Sequence, residues 1–207
     1  MLSITSIPAL ACDGALNTRV IGFSEDGQTV VLRRESEVYS SEVEGSVETS
    51  IDIELFDLST QRRSELSTVC TTQQECDKQA PDSPRKANWA QISGDLAERG
   101  FEINPHYPKA TAVPALGAIL ELRDAPDEVT SGGFPLWAIQ DLYAVRGGQA
   151  ALLIKAAAPG TVTGCDHNPC LGAWVDPKQR YIFTISGGCV GGAVQVITVD
   201  EARTRLN

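Results

Sequence analysis

Apolar and polar residues follow a strand, turn, strand pattern near both ends of the chain. Residues 20–32 place the pair Asp26-Gly27 between two apolar segments, and such a pair supplies the positive φ that tight hairpins need. Residues 172–186 have a similar form, with a turn at Asp176-Pro177. We therefore predict a β-hairpin near each end of the chain.

A further apolar strand follows each hairpin, over residues 51–58 in the first case and residues 193–200 in the second. A short polar segment that contains arginine comes after both of these strands. Two units of the same form in one chain suggest duplicated sheet elements.

Two segments of the first unit resemble the blades of periplasmic propeller proteins. They are Phe23-Ser24-Glu25-Asp26-Gly27, with Glu25 where those blades usually have proline, and Phe56-Asp57-Leu58-Ser59-Thr60. Similar hairpins occur in uncharacterised exported bacterial β-rich proteins of about this length, and this is the family that the chain resembles. A closed propeller needs at least about four blades, whereas the middle of the chain shows no third copy, so a partial propeller and a sandwich both stay open.

The middle of the chain predicts more strands, over residues 117–123, 136–145 and 150–156, with a tight turn at Arg146-Gly147-Gly148-Gln149. Residues 35–54 contain seven acids and no lysine or arginine. Their alternation indicates two long strands joined near Glu44-Gly45-Ser46. We expect a solvated hairpin whose charges discourage edge-to-edge aggregation, or a surface that contacts a cation or a partner.

One helix is predicted, from Pro84 to about Arg99. Ser83 is placed to cap it, and Gly100 is suited to the left-handed turn that ends a helix. Apolar residues recur inside it at helical spacing: Trp89, Ile92 and Leu96. Residues 71–83 are predicted to form a loop. The fold class is therefore mainly β, with antiparallel sheets of blade-like hairpins and one packed α-helix.

The six cysteines form an even set, and four of them fall in two closely spaced pairs. Polar spacers of this length allow the Cα separations that disulfides require. We predict three disulfides, although six cysteines allow 15 connectivities. The predicted pairs are Cys70 with Cys76, Cys165 with Cys170, and Cys12 with Cys189.

Residues 1–11 carry no charge and end in Ala9-Leu10-Ala11, directly before Cys12. This resembles the end of a secretory signal peptide, which is cleaved after small residues. We expect residues 1–11 to be a signal-peptide remnant and residues 12–207 to form a single β-rich domain that is secreted or periplasmic. The alternatives are an apolar first strand in a cytosolic protein and a lipoprotein acylated at Cys12.

Composition restricts the partners of this protein. The formal net charge of -10 repels nucleic acid and anionic lipid surfaces, so nucleic acid is not expected as a partner. No apolar segment approaches the ~20 residues that a transmembrane helix needs. A protein or envelope partner that contacts surface loops or strand edges remains open.

The sequence contains two histidines, His106 and His167, and shows neither a Gly-x-Ser-x-Gly nucleophile elbow nor a phosphate-binding loop. A zinc site would have its donors on one short segment and a later cysteine: Cys165, His167, Cys170 and Cys189. In an oxidising compartment, however, cysteines usually pair with one another. The glycine-rich segment 186–192 is interpreted as a wide hairpin loop. The tryptophans Trp89, Trp137 and Trp174 are assigned to core or sheet-face positions, with carbohydrate stacking as the alternative.

These observations favour a secreted or periplasmic, non-enzymatic binding or structural module, with no catalytic, metal or cofactor-binding residues assigned and no cofactor. The alternative is a hydrolase or zinc-dependent enzyme that uses His106 or His167. A third hypothesis is an oligomeric envelope component that associates through strand edges.

Overall fold

The computed structural model describes residues 17–39, 47–70, 72–77, 84–124, 140–155, 170–186 and 193–207. It is mainly β, as the sequence predicts, and its strands form three sheets of six, four and three strands. Three α-helices and one short 3-10 turn, Pro114–Leu116, complete the described part of the chain.

The first sheet has the strand order β5-β4-β3-β2-β1-β6. Every neighbouring pair in it is antiparallel except β4 and β5, which are parallel. The long pairing of β2 with β3 reaches Tyr39 and Val47, which confirms the two extended strands, while the predicted tip at Gly45 lies outside the described residues. The strands are β1 (Asn17–Ser24), β2 (Thr29–Tyr39), β3 (Val47–Asp57), β4 (Arg62–Val69), β5 (Arg85–Ala87) and β6 (Phe101–Ile103).

The second and third sheets are antiparallel throughout. The second, ordered β10-β9-β8-β7, consists of β7 (Ala112–Val113), β8 (Ala118–Asp124), β9 (Gln140–Arg146) and β10 (Gln149–Ile154). Its tight turn is confirmed, with positive φ at both Gly147 and Gly148. The third sheet is ordered β11-β12-β13 and contains the second predicted hairpin. Its strands are β11 (Cys170–Val175), β12 (Tyr181–Ser186) and β13 (Val194–Thr198).

The predicted start of the helix at Pro84 was wrong. Residues Arg85–Ala87 form β5, and the helix α2 spans Trp89–Glu98. Its N-cap is Asn88, whose side chain accepts a hydrogen bond from the backbone N–H of Gln91 (2.8 Å). The predicted end was right, because Gly100 follows with a φ of 81°.

Two further helices correct the expectation of one. The helix α1 (Gln73–Asp77) lies within the segment predicted to be a loop, directly after Cys70. The helix α3 (Val199–Arg205) takes the last two residues of the predicted strand 193–200 and the polar segment that follows it. A capping box starts α3, in which the side chains of Thr198 and Glu201 each accept a hydrogen bond from the other residue's backbone N–H.

The third sheet is buried on both faces. One face joins the first sheet in an apolar core that includes Val20, Phe23, Trp174 and Phe183. The other face contributes Ile182 to a core shared with the second sheet and α3. Burial on both faces explains why β12 is almost continuously apolar rather than alternating. The opposite face of the first sheet packs against α2.

The turns of the two predicted hairpins are in contact. Arg180, after the second turn, donates a hydrogen bond to the backbone carbonyl of Asp26 in the first turn. A Cβ atom at Gly27 would lie 2.8 Å from a carboxylate oxygen of Asp176, so only glycine fits this approach. The two units therefore belong to two sheets that face each other, and a propeller layout of blades is not confirmed.

The disulfide between Cys70 and Cys76 is present, with a Cα separation of 5.4 Å. It is the one disulfide seen within the described residues, against three predicted. The positions of Cys12, Cys165 and Cys189, and the side chain of Cys170, lie outside the description. No helix in the described segments is long and apolar enough to cross a membrane.

Glu54 is a buried carboxylate in the middle of β3, only 1% exposed. Its oxygens accept hydrogen bonds from Arg34 (3.2 Å) and Arg63 (3.0 Å). Because the Arg34 side chain is also largely buried, at 13% exposure, this ion pair has little screening by solvent.

We predict that Glu54→Gln lowers the free energy of unfolding by about 3 kcal/mol, because it leaves the Arg34 charge without its counter-ion. The matched control is Glu65→Gln, which removes the partner of the half-exposed Arg99 and is expected to cost about 0.5 kcal/mol. Urea unfolding measures both values. Equal effects of the two variants would contradict the buried-pair interpretation.

Candidate functional site

A cleft opens where the first and third sheets meet, and we call it the Trp174 cleft. Its volume is about 270 Å³. The walls come from β1, from the loop that follows β6, and from β11. The lining residues are Thr18, Arg19, Val20, Pro105, His106, Tyr107, Lys109 and Trp174.

The strand pairing of β1 produces the opening. β6 pairs with β1 only from Gly22 to Ser24, and the last contact is the N–H of Asn104 with the carbonyl of Ile21 (2.7 Å). The chain then leaves β1, so β6 does not cover the outer edge of residues 18–20. A bulge in β1 next to Gly22 lies at the same place, as bulges often do beside functional sites.

The loop from Asn104 to Pro108 is held in a defined shape. The Asn104 side chain accepts a hydrogen bond from the N–H of His106 (3.0 Å), and the Asn104 carbonyl accepts one from the N–H of Tyr107 (3.2 Å). The Tyr107 ring packs edge-on against Phe23, with 4.8 Å between ring centroids. Burial, followed by the negative charges of Glu102 and Asp176, raises the pKa of Tyr107, so its hydroxyl stays neutral.

Lys109 is positioned by the second hairpin. The following residue, Ala110, donates its N–H to the carbonyl of Ala173 in β11 (2.8 Å). A Cβ atom at Gly172 would lie 2.7 Å from the Lys109 side chain and 3.1 Å from the Trp174 ring. Gly172 also has a φ of 152° and lies beside a bulge in β11. Glycine at this position therefore makes room for the Lys109 side chain next to Trp174.

Two buried polar atoms beside the cleft have no hydrogen-bond partner among the described residues: the hydroxyl of Thr18 and the indole nitrogen of Trp174. Both side chains are only 3% exposed, and neither atom is reached by solvent in this structure. A buried polar group without a partner costs about 1–3 kcal/mol. Both groups belong to residues that line the same cleft.

The charge of the cleft is opposite to that of the whole protein. Arg19 and Lys109 have no acidic partner among the described residues, and no carboxylate is found among the lining residues that the structure describes. Two acids act on the pKa of Tyr107: Asp176 accepts hydrogen bonds from the backbone N–H groups of residues 178, 180 and 181, and Glu102 is exposed and is not among the lining residues. The lining residues therefore offer hydrogen-bond donors and two basic side chains.

Of the two histidines named by the sequence, His106 lies in this cleft and is exposed, and His167 lies outside the described residues. No cluster of three metal-binding side chains is found in the part of the chain that the structure describes. The candidate zinc donors lie beyond that part, Cys170 being described in its backbone alone. The zinc hypothesis therefore stays a prediction.

The two described tryptophans differ in how deeply they are buried. Trp174 is a core residue, as predicted, stacked on Phe183 at 6.0 Å between ring centroids. Trp89 is 37% exposed at the start of α2, so its assignment to the core was wrong. Trp137 lies outside the described residues. Because the Trp174 ring is buried, it has no open face for a sugar.

Sequence reasoning missed Thr18, Lys109 and Gly172 as residues of a site. They lie on segments far apart in the chain, and each is ordinary in its own segment. The one local signal was a glycine shortly before the aromatic residue of each hairpin: Gly22 is one position before Phe23, and Gly172 is two positions before Trp174. Both glycines lie at bulges that border the cleft.

Two other depressions are weaker candidates. A narrow crevice of about 20 Å³ beneath α2 is bordered by the ion pairs Arg85–Asp95 and Arg99–Glu65. An open depression next to the first turn includes Asp26, whose pKa is lowered by hydrogen bonds from the Ser24 hydroxyl and the Gln28 N–H. The charged groups of the crevice are paired within the protein, whereas the depression is open and shows no buried unpaired polar atom among its described lining residues.

Comparisons with protein-family models, with curated proteins and with solved structures found no match. The function is therefore inferred from the chemistry of the cleft.

We predict that Thr18→Val raises the free energy of unfolding by about 1 kcal/mol in the absence of a ligand. Valine keeps the shape and the β-branched side chain while it removes a buried hydroxyl without a partner. The control is Thr68→Val, which removes a hydroxyl that donates to Asp52 (2.8 Å) and should lower stability. A loss of stability in Thr18→Val would indicate that the hydroxyl is already satisfied.

Proposed function

We propose that the protein is a secreted or periplasmic, non-enzymatic binding module whose ligand occupies the Trp174 cleft. The observation that carries this proposal is a pair of buried polar groups beside one cleft, on Thr18 and Trp174, that have no partner within the described part of the chain. Proteins rarely leave such groups unpaired without a reason. A stable, preformed cleft with a few convergent polar groups is the usual form of a small-molecule site.

The proposed export is supported by the Cys70–Cys76 disulfide, because disulfides persist mainly in oxidising compartments. We further propose the pairs Cys165–Cys170 and Cys12–Cys189. The second of these would connect the start of the mature chain to the loop between β12 and β13, close in sequence to the core that joins the first and third sheets.

Thiol counting tests the disulfide proposal. Protein prepared under oxidising conditions is alkylated without reductant, and its intact mass is compared with that of the reduced and alkylated protein. We expect alkylation of none of the six cysteines before reduction and of all six afterwards. Four alkylated cysteines before reduction would mean that only the Cys70–Cys76 bridge exists. Six alkylated cysteines before reduction would mean that no bridge exists, and the argument for export would fail.

A hydrolase that uses His106 is the second candidate, because this histidine lies in the same cleft. A general base usually needs a carboxylate that orients it and a nucleophile within hydrogen-bond reach. The lining residues described here give His106 no such carboxylate, and the hydroxyl of Thr18 is closed off from solvent. The cleft is therefore better suited to binding than to acid-base catalysis.

Ligand binding can be followed through the tryptophan indole N–H signals of the ¹⁵N-labelled protein. Trp174→Phe and Trp89→Phe assign these signals. We expect members of a fragment library to shift the Trp174 signal in a saturable way while the exposed Trp89 signal stays unchanged. Saturable shifts confined to Trp89, or no shift at the Trp174 signal with any fragment, would contradict the proposed site.

A further inference from the structure

We infer that the Trp174 cleft binds a small organic acid through its carboxylate group. This inference rests on the proposed binding function and names the class of ligand. It follows from three properties of the cleft: the type of hydrogen-bonding atoms, the sign of the charge and the nature of the remaining walls.

Three of the polar side chains that line the cleft can only donate, Arg19, Lys109 and Trp174, and the other three, Thr18, His106 and Tyr107, can donate as well as accept. The indole nitrogen of Trp174 can only donate, the Lys109 ammonium has three donors and no acceptor, and the Thr18 hydroxyl can donate as well as accept. An ionised carboxylate accepts hydrogen bonds and donates none. It is therefore the common organic group that satisfies these donors and leaves no donor of its own unpaired.

The positive side chains of the cleft favour a ligand that carries a single negative charge. Lys109 and Arg19 are not neutralised by any described acid, whereas most of the other described arginines have acidic or carbonyl partners. The protein as a whole carries a formal charge of -10, which repels highly charged anions at long range. A monoanion gains the local attraction with the smallest long-range penalty.

Lys109 is held in place before any ligand binds. Its side chain lies over Gly172 and is flanked in the chain by Pro108, whose φ is fixed, and by Ala110, whose N–H is bonded to β11. Such preorganisation lowers the entropy cost of binding. The ammonium can therefore contribute more to affinity than a freely moving surface lysine.

The remaining walls suit a carbon skeleton. Val20, Pro105 and the Tyr107 ring supply apolar surface beside the donors, in a volume of about 270 Å³. This is close to the lower end of the range for small-molecule sites. Because the indole nitrogen of Trp174 is closed off in this structure, we expect the carboxylate to bind first to the Lys109 ammonium beside the Trp174 ring.

The test is a titration of the full chain with benzoate and with benzamide, its neutral isostere, read from the Trp174 indole N–H signal. Acetate and inorganic phosphate test the need for a carbon skeleton and for a single charge. Hippurate and its amide test whether the carboxylate belongs to a peptide C-terminus. We expect benzoate to bind at least ten times more tightly than benzamide and phosphate, and acetate to bind more weakly than benzoate.

Variants test whether the Lys109 charge binds the carboxylate. Lys109→Met is expected to weaken benzoate binding by about ten-fold or more, as for the loss of a charged hydrogen bond. The control is Lys178→Met, because Lys178 is also exposed and has no acidic partner among the described residues, yet lies outside the cleft. Gly172→Ala should have an intermediate effect, since it displaces the Lys109 side chain.

The outcomes separate the two proposals. Tighter binding of benzoate or hippurate than of its amide, lost in Lys109→Met and kept in Lys178→Met, supports the inference. Equal binding of acid and amide, or tighter binding of phosphate, overturns the carboxylate inference while the binding function stands. If neither these probes nor any library fragment shifts the Trp174 signal, the binding function fails as well.

Discussion

The packing of the first hairpin against the last determines the rest of this structure. The ring centroids of Phe23 in β1 and Phe183 in β12 are 6.1 Å apart, and the Phe183 ring stacks on the Trp174 ring in β11. These aromatic side chains join segments about 150 residues apart, and aromatic pairs of this geometry contribute about 0.5–1.5 kcal/mol beyond their burial. Because the third sheet is buried on both faces, the same contact also fixes the position of the second sheet and α3.

The Trp174 cleft is a consequence of this packing. At the boundary between the two sheets, β6 stops pairing with β1, and the chain crosses to the edge of β11 through the Asn104–Ala110 segment. The crossing leaves space above Thr18 and brings Lys109 beside Trp174. The polar groups of the cleft thus lie in a gap between well-packed apolar layers. Unpaired donors are costly in such a place, so a ligand that pairs with them gains binding free energy.

The sequence predicted what depends on neighbouring residues and missed what depends on distant ones. Both hairpins, the turn at Gly147 and the end of α2 at Gly100 follow from local turn chemistry and were predicted. The first turn of the predicted helix forms β5 instead, because it pairs with β4, a non-local partner. The start of α3 carried the local signal of a capping box, which the apolar pattern of β13 obscured. The cleft joins three distant segments, and its one local signal, the glycines at Gly22 and Gly172, did not indicate that these segments meet.

The central claim is that one core joins the two hairpins, and native-state hydrogen exchange tests it most directly. Backbone amides of β1 and β2 should open together with those of β11 and β12 as urea increases, with a common free energy. Phe183→Ala should lower the protection of both sheets by a similar amount, although Phe183 belongs to only one of them. If the third sheet lost protection in this variant while β1 and β2 kept theirs, the account would be contradicted.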